Sequence, residues 1–296
     1  MRAQHLYLLG HPVGHSKSAV MYNAVYEKLG LPWHYELLDC ASEQEARTVL
    51  EQRDFLSVNI TTPYKPLAYE AADERSATAE LVDGVNVLVN CDGRLVAHNT
   101  DGAGCVSFLQ RSGFDFSRKL VAVCGTGPTA LSVLTACARL GSCKVLLLSR
   151  DAQHARDVLA RWSEREAALG DRSGARTRAG SMTPAAYKDA AGRISQADLV
   201  INATPLGMRA GDPAPFDTSV LREGQWVFDC VYGHGETALV AGGRAAGCRT
   251  FDGAGMLVGQ AVETVRILEC ATNLAFGLSN EDLFGVMAEA AGFSLE

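Results

Sequence analysis

Residues 119–141, KLVAVCGTGPTALSVLTACARLG, hold an apolar run, a glycine turn and a second apolar run, and their reading decides the fold. The turn is Gly125-Thr126-Gly127-Pro128-Thr129-Ala130, a G-x-G-x-x-A between a predicted strand and a predicted helix. Glycines let the backbone turn sharply and approach a pyrophosphate, while the N-terminus of the following helix offers N–H donors. Pro128 suits the first position of that helix. The same glycines would also serve a tight turn with no ligand, so the neighbours matter. The next stretch, CKVLLLSR, is a near-continuous apolar run of the kind buried in a parallel sheet, and it ends at Ser149 and Arg150. Arg150 can pair bidentately with a ribose 2′-phosphate, which favours NADP. Asp151 can instead accept from a ribose 2′-hydroxyl, which favours NAD. The reading leans to NADP and leaves NAD open.

Outward from this turn, strands and helices alternate on both sides. GAGCVSFLQRSG reads as a helix before it, and ADLVINAT, QWVFDCVY and CRTFDG read as strands after it. The polar stretch WSEREAALGDRSGARTRAG, 162–180, reads as surface helix and loop. On the N-terminal side, HLYLLG, WHYELLD and FLSVNIT read as strands. Between them lie helices at SAVMYNAVYEKLG, with Ser18 as N-cap and Gly30 as terminator, and at SEQEARTVLEQR, capped by Ser42. Such alternation implies βαβ units and mostly parallel sheets. GMLVGQAVETVRILECATNLAF and NEDLFGVMAEAAGF are helical with no strands of their own, so they must pack on something already built. The expectation is an α/β chain of two domains. An N-terminal α/β domain spans 1–102, a Rossmann-like dinucleotide-binding domain spans 103–252, and C-terminal helices in 253–296 return to the first.

The bulk numbers suit this. A chain of 296 residues, 47% hydrophobic and 21% charged, can bury real cores. A net charge of -7 argues against non-specific nucleic-acid or anionic-membrane binding, though not against an anionic small substrate. No apolar run is long enough for a transmembrane helix, and the N-terminus lacks the apolar core of a signal peptide, so a cytoplasmic protein is expected. Nine cysteines without C-x-x-C indicate neither a disulfide framework nor a zinc site. His11 and His15 are four apart, but the Pro12 and Gly14 between them keep both off one helical face, and no metal is expected. Monomer and homodimer both remain open.

Two residues pose a separate question. In NITTPYKPLAYEAADE, 59–74, Lys65 follows a proline turn with no acidic residue within four positions on either side. In HNTDGAG, Asp101 is bracketed by Asn99, Thr100 and Gly102. An amine near a reacting carbonyl can donate the proton an alkoxide needs, and a neighbouring carboxylate would orient it. A plain structural salt bridge between loops is the alternative.

The ordered segments GHPVGHSKSAVMYNA, NITTPYK, DGVNVL, HNTDGAG, GTGPTA, INATPLGM, FDCVY and DGAGMLVGQA resemble the shikimate dehydrogenase family, which includes shikimate and quinate dehydrogenases, over nearly the whole chain. The resemblance implies reversible NADPH-dependent reduction of 3-dehydroshikimate to shikimate, a step of aromatic amino acid biosynthesis, with Lys65 and Asp101 as the catalytic pair. It implies that Ser16 and Ser18 hold the substrate carboxylate, and that Asn59, Thr61, Asn86 and Asp101 grip the ring hydroxyls. Gln260 would reach back from the first C-terminal helix, and Tyr232, in YGHGETA, would lie on the substrate side. Thr204 and Gly253 would join the glycine turn and residues 149–151 in holding the cofactor. For Ser18, plain N-capping is the alternative to anion binding. Departures from the family pattern are Gly127-Pro128 for a Gly-Gly pair, Ser-Arg-Asp for Asn-Arg-Thr, the absence of prolines in YGHGETA, and Tyr22 for a common histidine. Quinate carries an extra hydroxyl beside its carboxylate. The Ser-x-Ser pair, in place of Ser-x-Thr, leans to shikimate, with a quinate or quinate/shikimate dehydrogenase using NAD(P) as runner-up. A non-catalytic shikimate or nucleotide sensor on the same scaffold is the alternative from another class.

Overall fold

A computed structural model of the protein describes residues 4–141, 143–173 and 182–294. The chain divides into two compact units, Met1–Gly104 with Val258–Glu296, and Cys105–Leu257.

The first unit holds β1 (Gln4–Gly10), α1 (Ser18–Lys28), β2 (Trp33–Asp39), α2 (Glu43–Gln52), β3 (Ser57–Ile60), α3 (Lys65–Ala71), β4 (Glu74–Arg75), α4 (Ala77–Val82), β5 (Val87–Cys91), β6 (Arg94–His98) and the start of α5 (Asp101–Arg111). Its sheet has the order β2-β1-β3-β5-β6-β4. β1 is parallel to β2 and β3, but β5 runs antiparallel to β3 and β6 antiparallel to β5. Three of the five pairings are thus parallel, as expected, and β5 is the one strand that runs against its neighbours. The β5–β6 turn is Asp92–Gly93, with φ of 52° and 88°, the paired left-handed conformation that Asp-Gly favours in two-residue hairpins. One sheet face packs Leu9, Val58, Ile60, Leu88 and Leu95 against Leu50 of α2 and Leu67 and Ala68 of α3.

Ser18 is not the cap expected of it. Lys17 takes the N-cap position of α1 without a side-chain hydrogen bond, and Ser18 is the first helical residue. Its hydroxyl instead accepts from Ser16 Oγ at 3.1 Å. Ser42 does cap α2, accepting from Glu45 N.

α1 packs against α11 (Asn280–Ala291) and buries Tyr22 and Tyr26. Tyr26 meets Trp33 edge-on at 5.3 Å, and its buried hydroxyl has no hydrogen-bond partner among the described residues. A buried hydroxyl left unbonded costs about 1–3 kcal/mol, so Tyr26→Phe is expected to raise unfolding free energy by about 1 kcal/mol. Urea denaturation checks this; a loss of stability would show that the hydroxyl is satisfied.

The second unit holds the rest of α5 and β7 (Leu120–Cys124), α6 (Pro128–Leu140), β8 (Lys144–Ser149), α7 (Ala152–Ser173), β9 (Met182–Ala186), α8 (Ala191–Ile194), β10 (Leu199–Asn202), β11 (Trp226–Asp229), α9 (Ala238–Ala245), β12 (Arg249–Phe251) and the first residues of α10 (Ala254–Thr272). Its sheet, β12-β11-β10-β7-β8-β9, is parallel throughout. This is the Rossmann strand order, reversing direction between β7 and β10. Ala122, Leu146, Val200 and Val227 form its core with Ile194 and Leu239. β9 was not expected from sequence. It carries Pro184 and sits at the sheet edge, where a strand tolerates the missing donor. Of the polar stretch 162–180, residues up to Ser173 continue α7 and the remainder lie outside the described residues.

Candidate active site

Strand direction gathers the polar residues of the first unit. β1, β3 and β6 all end at one edge of the sheet, and the antiparallel β5 begins there. The loop after β1, the turn after β3, Asn86 before β5 and Asn99–Asp101 after β6 therefore leave from the same edge.

At that edge Lys65, the first residue of α3, places Nζ 3.2 Å from Asp101 Oδ2. The other carboxylate oxygen, Oδ1, accepts from Asn86 Nδ2 at 2.7 Å. Asn86 also donates to Thr100 Oγ1 at 2.9 Å and accepts from Thr100 N at 2.9 Å, so its amide is fixed in orientation. Asn99 closes the turn, accepting from Asp101 N at 3.1 Å and donating to the Gly84 carbonyl. The carboxylate is held on both sides while the amine keeps 28% exposure.

The same network extends along α10. Thr100 Oγ1 donates to Gln260 Oε1 at 3.4 Å, and Thr264, one turn on, donates to the Gln260 carbonyl. Asn59 Nδ2 reaches Thr264 Oγ1 at 3.5 Å, and Asn59 Oδ1 accepts from Tyr35 OH at 3.0 Å. Tyr22 stacks on Tyr35 with centroids 4.4 Å apart, and burial pushes the Tyr22 phenol upward. Thr61 lies against Gly10, where a Cβ would stand 2.3 Å from the Thr61 methyl. Ser16 and Ser18 form their own bonded pair, since Ser18 N also donates to Ser16 Oγ. Asn99, Thr100, Thr264 and Tyr35 belong to this network but were not among the expected residues. Thr264 was legible as Gln260 plus four on a helix, which shares its face.

In the second unit, Gly125 has φ +109°, and a Cβ there would lie 2.9 Å from the Ala203 carbonyl oxygen. Gly127 has nothing within 4 Å of a built Cβ and is the N-cap of α6, with no side-chain cap, and Pro128 opens the helix ahead of Thr129 and Ala130. Thr126 Oγ1 and His154 Nε2 are 3.1 Å apart. Ser149 accepts from Asp151 N, and Asp151 Oδ1 accepts from Gln153 N at 2.8 Å, so Asp151 is engaged in starting α7. Arg150 is exposed and makes no hydrogen bond or ion pair with the other described residues. A helix start without a side-chain cap beside an exposed guanidinium fits a phosphorylated dinucleotide.

Thr204 bonds to Asn202 Oδ1 through both N and Oγ1. Asn202 donates to Asp229 Oδ1, whose partner oxygen accepts from Thr237 at 2.7 Å. Burial raises the Asp229 carboxyl, and the three donors from Thr237, Val231 and Asn202 oppose that rise. This cluster holds Thr204 and was likewise not expected. Tyr232 follows β11 and is half-buried. Gly253 has no room for a side chain, since a Cβ would stand 2.2 Å from the Cys230 carbonyl oxygen. Among the described residues no His, Cys, Asp and Glu cluster could hold a metal ion, and no helix is long and apolar enough to cross a membrane.

Residues 8–88 match the model of the shikimate dehydrogenase substrate binding domain. A curated shikimate dehydrogenase (NADP(+)) of Moorella thermoacetica is 34% identical over 260 residues, covering 86% of this chain and 83% of the relative. The shikimate 5-dehydrogenase of Thermus thermophilus, solved with NADP(H) and shikimate, superposes with a TM-score of 0.77 at 25% identity, covering 97% of this chain and 99% of that one. The quinate dehydrogenase of Corynebacterium glutamicum, solved with NAD, gives 0.76 at 27% identity, covering 97% of this chain and all of that one, 100%. With a curated relative at that identity aligned over most of both lengths, the chain belongs to the shikimate dehydrogenase family.

Proposed function

We propose that the protein catalyses the reversible, NADP-linked interconversion of 3-dehydroshikimate and shikimate, with Lys65 as the acid–base group and Asp101 as its partner. The observation that carries this reading is the Lys65–Asp101 contact of 3.2 Å, with Asn86 bonded to the far carboxylate oxygen. When bound, the nicotinamide supplies or accepts the hydride. Lys65 Nζ then gives a proton to the oxygen of the reduced carbonyl, or takes one from the hydroxyl in the opposite direction. Asp101 orients that amine. Ser16 and Ser18 donate to the substrate carboxylate, while Asn59, Thr61, Asn86 and Gln260 bind ring hydroxyls. In this reading the first unit holds the hydroaromatic acid, and the family resemblance adds Tyr232 to the substrate's contacts. The second unit binds the dinucleotide through residues 125–130, Ser149, Arg150, Asp151, Thr204 and Gly253. Nine free thiols suit the reducing cytoplasm, and the chemistry serves a monomer or a homodimer alike.

The test is an absorbance assay at the nicotinamide band, pairing shikimate and quinate with NADP and NAD. The highest kcat/KM is expected for shikimate with NADP. Arg150→Ala is expected to lower kcat/KM with NADP about tenfold or more, as loss of a charge-assisted contact does, and to lower the NAD-linked value less than about threefold. Equal or better turnover of quinate with NAD would replace the reading by quinate dehydrogenase. No turnover in any pairing, with retained shikimate binding, would leave a sensor.

A further inference from the structure

An asparagine side chain can meet a ligand with its carbonyl or with its amide hydrogens, and the end it turns decides what the ligand must offer. At Asn59 that choice is made by neighbours in the same unit. β1 lies between β2 and β3, with Tyr35 level with Leu6 and Asn59 level with Leu8, two places on and so on the same sheet face. Across it, Tyr35 OH donates to Asn59 Oδ1 at 3.0 Å. At the other end of the amide, Asn59 Nδ2 donates to Thr264 Oγ1 at 3.5 Å. The Thr264 hydroxyl gives its one hydrogen to the Gln260 carbonyl at 3.0 Å, so towards Asn59 it only accepts. Both ends therefore agree on one orientation. Tyr35 is itself held from α1. Asn23 Oδ1 accepts from Tyr35 N at 2.8 Å, Asn23 Nδ2 donates to the Tyr35 carbonyl at 2.9 Å, and the Tyr22 ring stacks on the Tyr35 ring. Tyr35 is 2% exposed and Asn59 5%, so little water competes for these bonds.

We propose that Tyr35 is a positioning residue that locks the Asn59 amide with its Nδ2 hydrogens presented to the substrate, so that the ring oxygen bound there is an acceptor. This rests on the proposed function, which assigns Asn59 a ring hydroxyl of shikimate. Nδ2 carries two hydrogens, and the bond to Thr264 uses one; the second has no partner among the described residues. A buried N–H left unbonded is costly, and a substrate oxygen removes that cost. Without the tyrosine hydroxyl the amide loses the donor that fixes its carbonyl end. A flipped amide would set that carbonyl against the substrate oxygen, and two acceptors facing each other make no bond. α1 then shapes the substrate site twice, through Ser18 at its start and through Tyr22 and Asn23 acting on Tyr35.

The test is the dissociation constant of shikimate for the full chain, by calorimetry, in a double-mutant cycle. Tyr35→Phe keeps the stacked ring and removes only the donor. It is expected to weaken binding about fivefold, with kcat at saturating shikimate falling less than about twofold. In an Asn59→Ala background the same substitution should change binding less than about 1.5-fold, because the amide it orients is gone. Tyr26→Phe, which takes an unbonded hydroxyl from the same aromatic cluster, should bind shikimate as wild type does. Binding by Tyr35→Phe as tight as wild type, or an undiminished loss in the Asn59→Ala background, overturns the proposal. So does an equal loss in Tyr26→Phe, which would reduce the effect to packing. A readout that needs neither variant nor ligand is the proton Overhauser pattern of the Asn59 side-chain amide by NMR in the wild-type protein. Its amide protons should show stronger effects to the Thr264 side chain than to the Tyr35 ring, and the reverse refutes the lock whatever the affinities. If wild type binds no shikimate, the proposed function falls and the amide pattern alone decides the role of Tyr35.

Discussion

Replacing Lys65 with alanine is expected to lower kcat for shikimate oxidation about a hundredfold or more, while shikimate binding changes less than about threefold. Acid–base help of this kind is worth about 10²–10⁴ in rate, or roughly 3–5 kcal/mol of barrier. The substitution leaves the Asn86 bond to Asp101 in place, so the carboxylate does not lose its orientation. Stability should barely move, because a partly exposed ion pair contributes at most about 1 kcal/mol. Arginine at this position keeps the charge but does not release a proton at neutral pH, so Lys65→Arg should not restore turnover. Retention of wild-type kcat in Lys65→Ala would leave the pair as a structural salt bridge and remove the acid–base role. A fall in affinity equal to the fall in kcat/KM would make the amine a binding group instead.

Gly104→Ala is expected to be the most damaging single methyl in the first unit. A Cβ there would stand 2.3 Å from Gln260 N and 2.7 Å from its Cα, and a Cβ at Gly259 would stand 2.4 Å from the Gly104 carbonyl oxygen. α5 and α10 meet backbone to backbone at this point, with no flexible side chain able to give way. Overpacking of this kind costs about 1–3 kcal/mol and at times more, so about 3 kcal/mol is expected, read as a lower denaturation midpoint. Relief of the clash displaces Gln260, whose amide accepts from Thr100, so shikimate affinity should fall as well. Gly285→Ala is the control. It sits in α11 with nothing within 4 Å, and alanine there should stabilise by up to about 1 kcal/mol through helix propensity. Equal effects at the two positions would show that the crossing is looser than described.

What could be read from the chain depended on how strongly each segment repeats itself. β7, β8 and β10 are nearly continuous apolar runs, and the glycine turn sits between one of them and a helix, so the second unit was legible from period and punctuation. The β5–β6 hairpin escapes a reading of the sequence although Asp92-Gly93 marks it, because β5 opens on three buried residues, Val87, Leu88 and Val89, and lacks the alternation of a half-buried strand. β9 was beyond reach, since Pro184 and a run of alanines carry no strand signal. Ser18 shows a rule applied one residue off: a serine before an apolar helix reads as a cap, yet Lys17 holds that position. In the site, spacing alone could not bring together two residues 36 positions apart. Their meeting follows from β5 running antiparallel, which returns β6 to the edge where β3 ends.

That ribbon has a remote consequence. Asn86 and Asp101 stand at one tip, and Asp92–Gly93 closes the other, about 17 Å away over five paired residues. A single codon inserted at the far tip would slip β6 one place along β5, turning Leu95 and Ala97 out of the core and drawing Asp101 away from its amide. Insertional scanning should therefore find null alleles clustered at a solvent-facing bend that touches no ligand, with two-codon insertions milder than one because they restore the alternation.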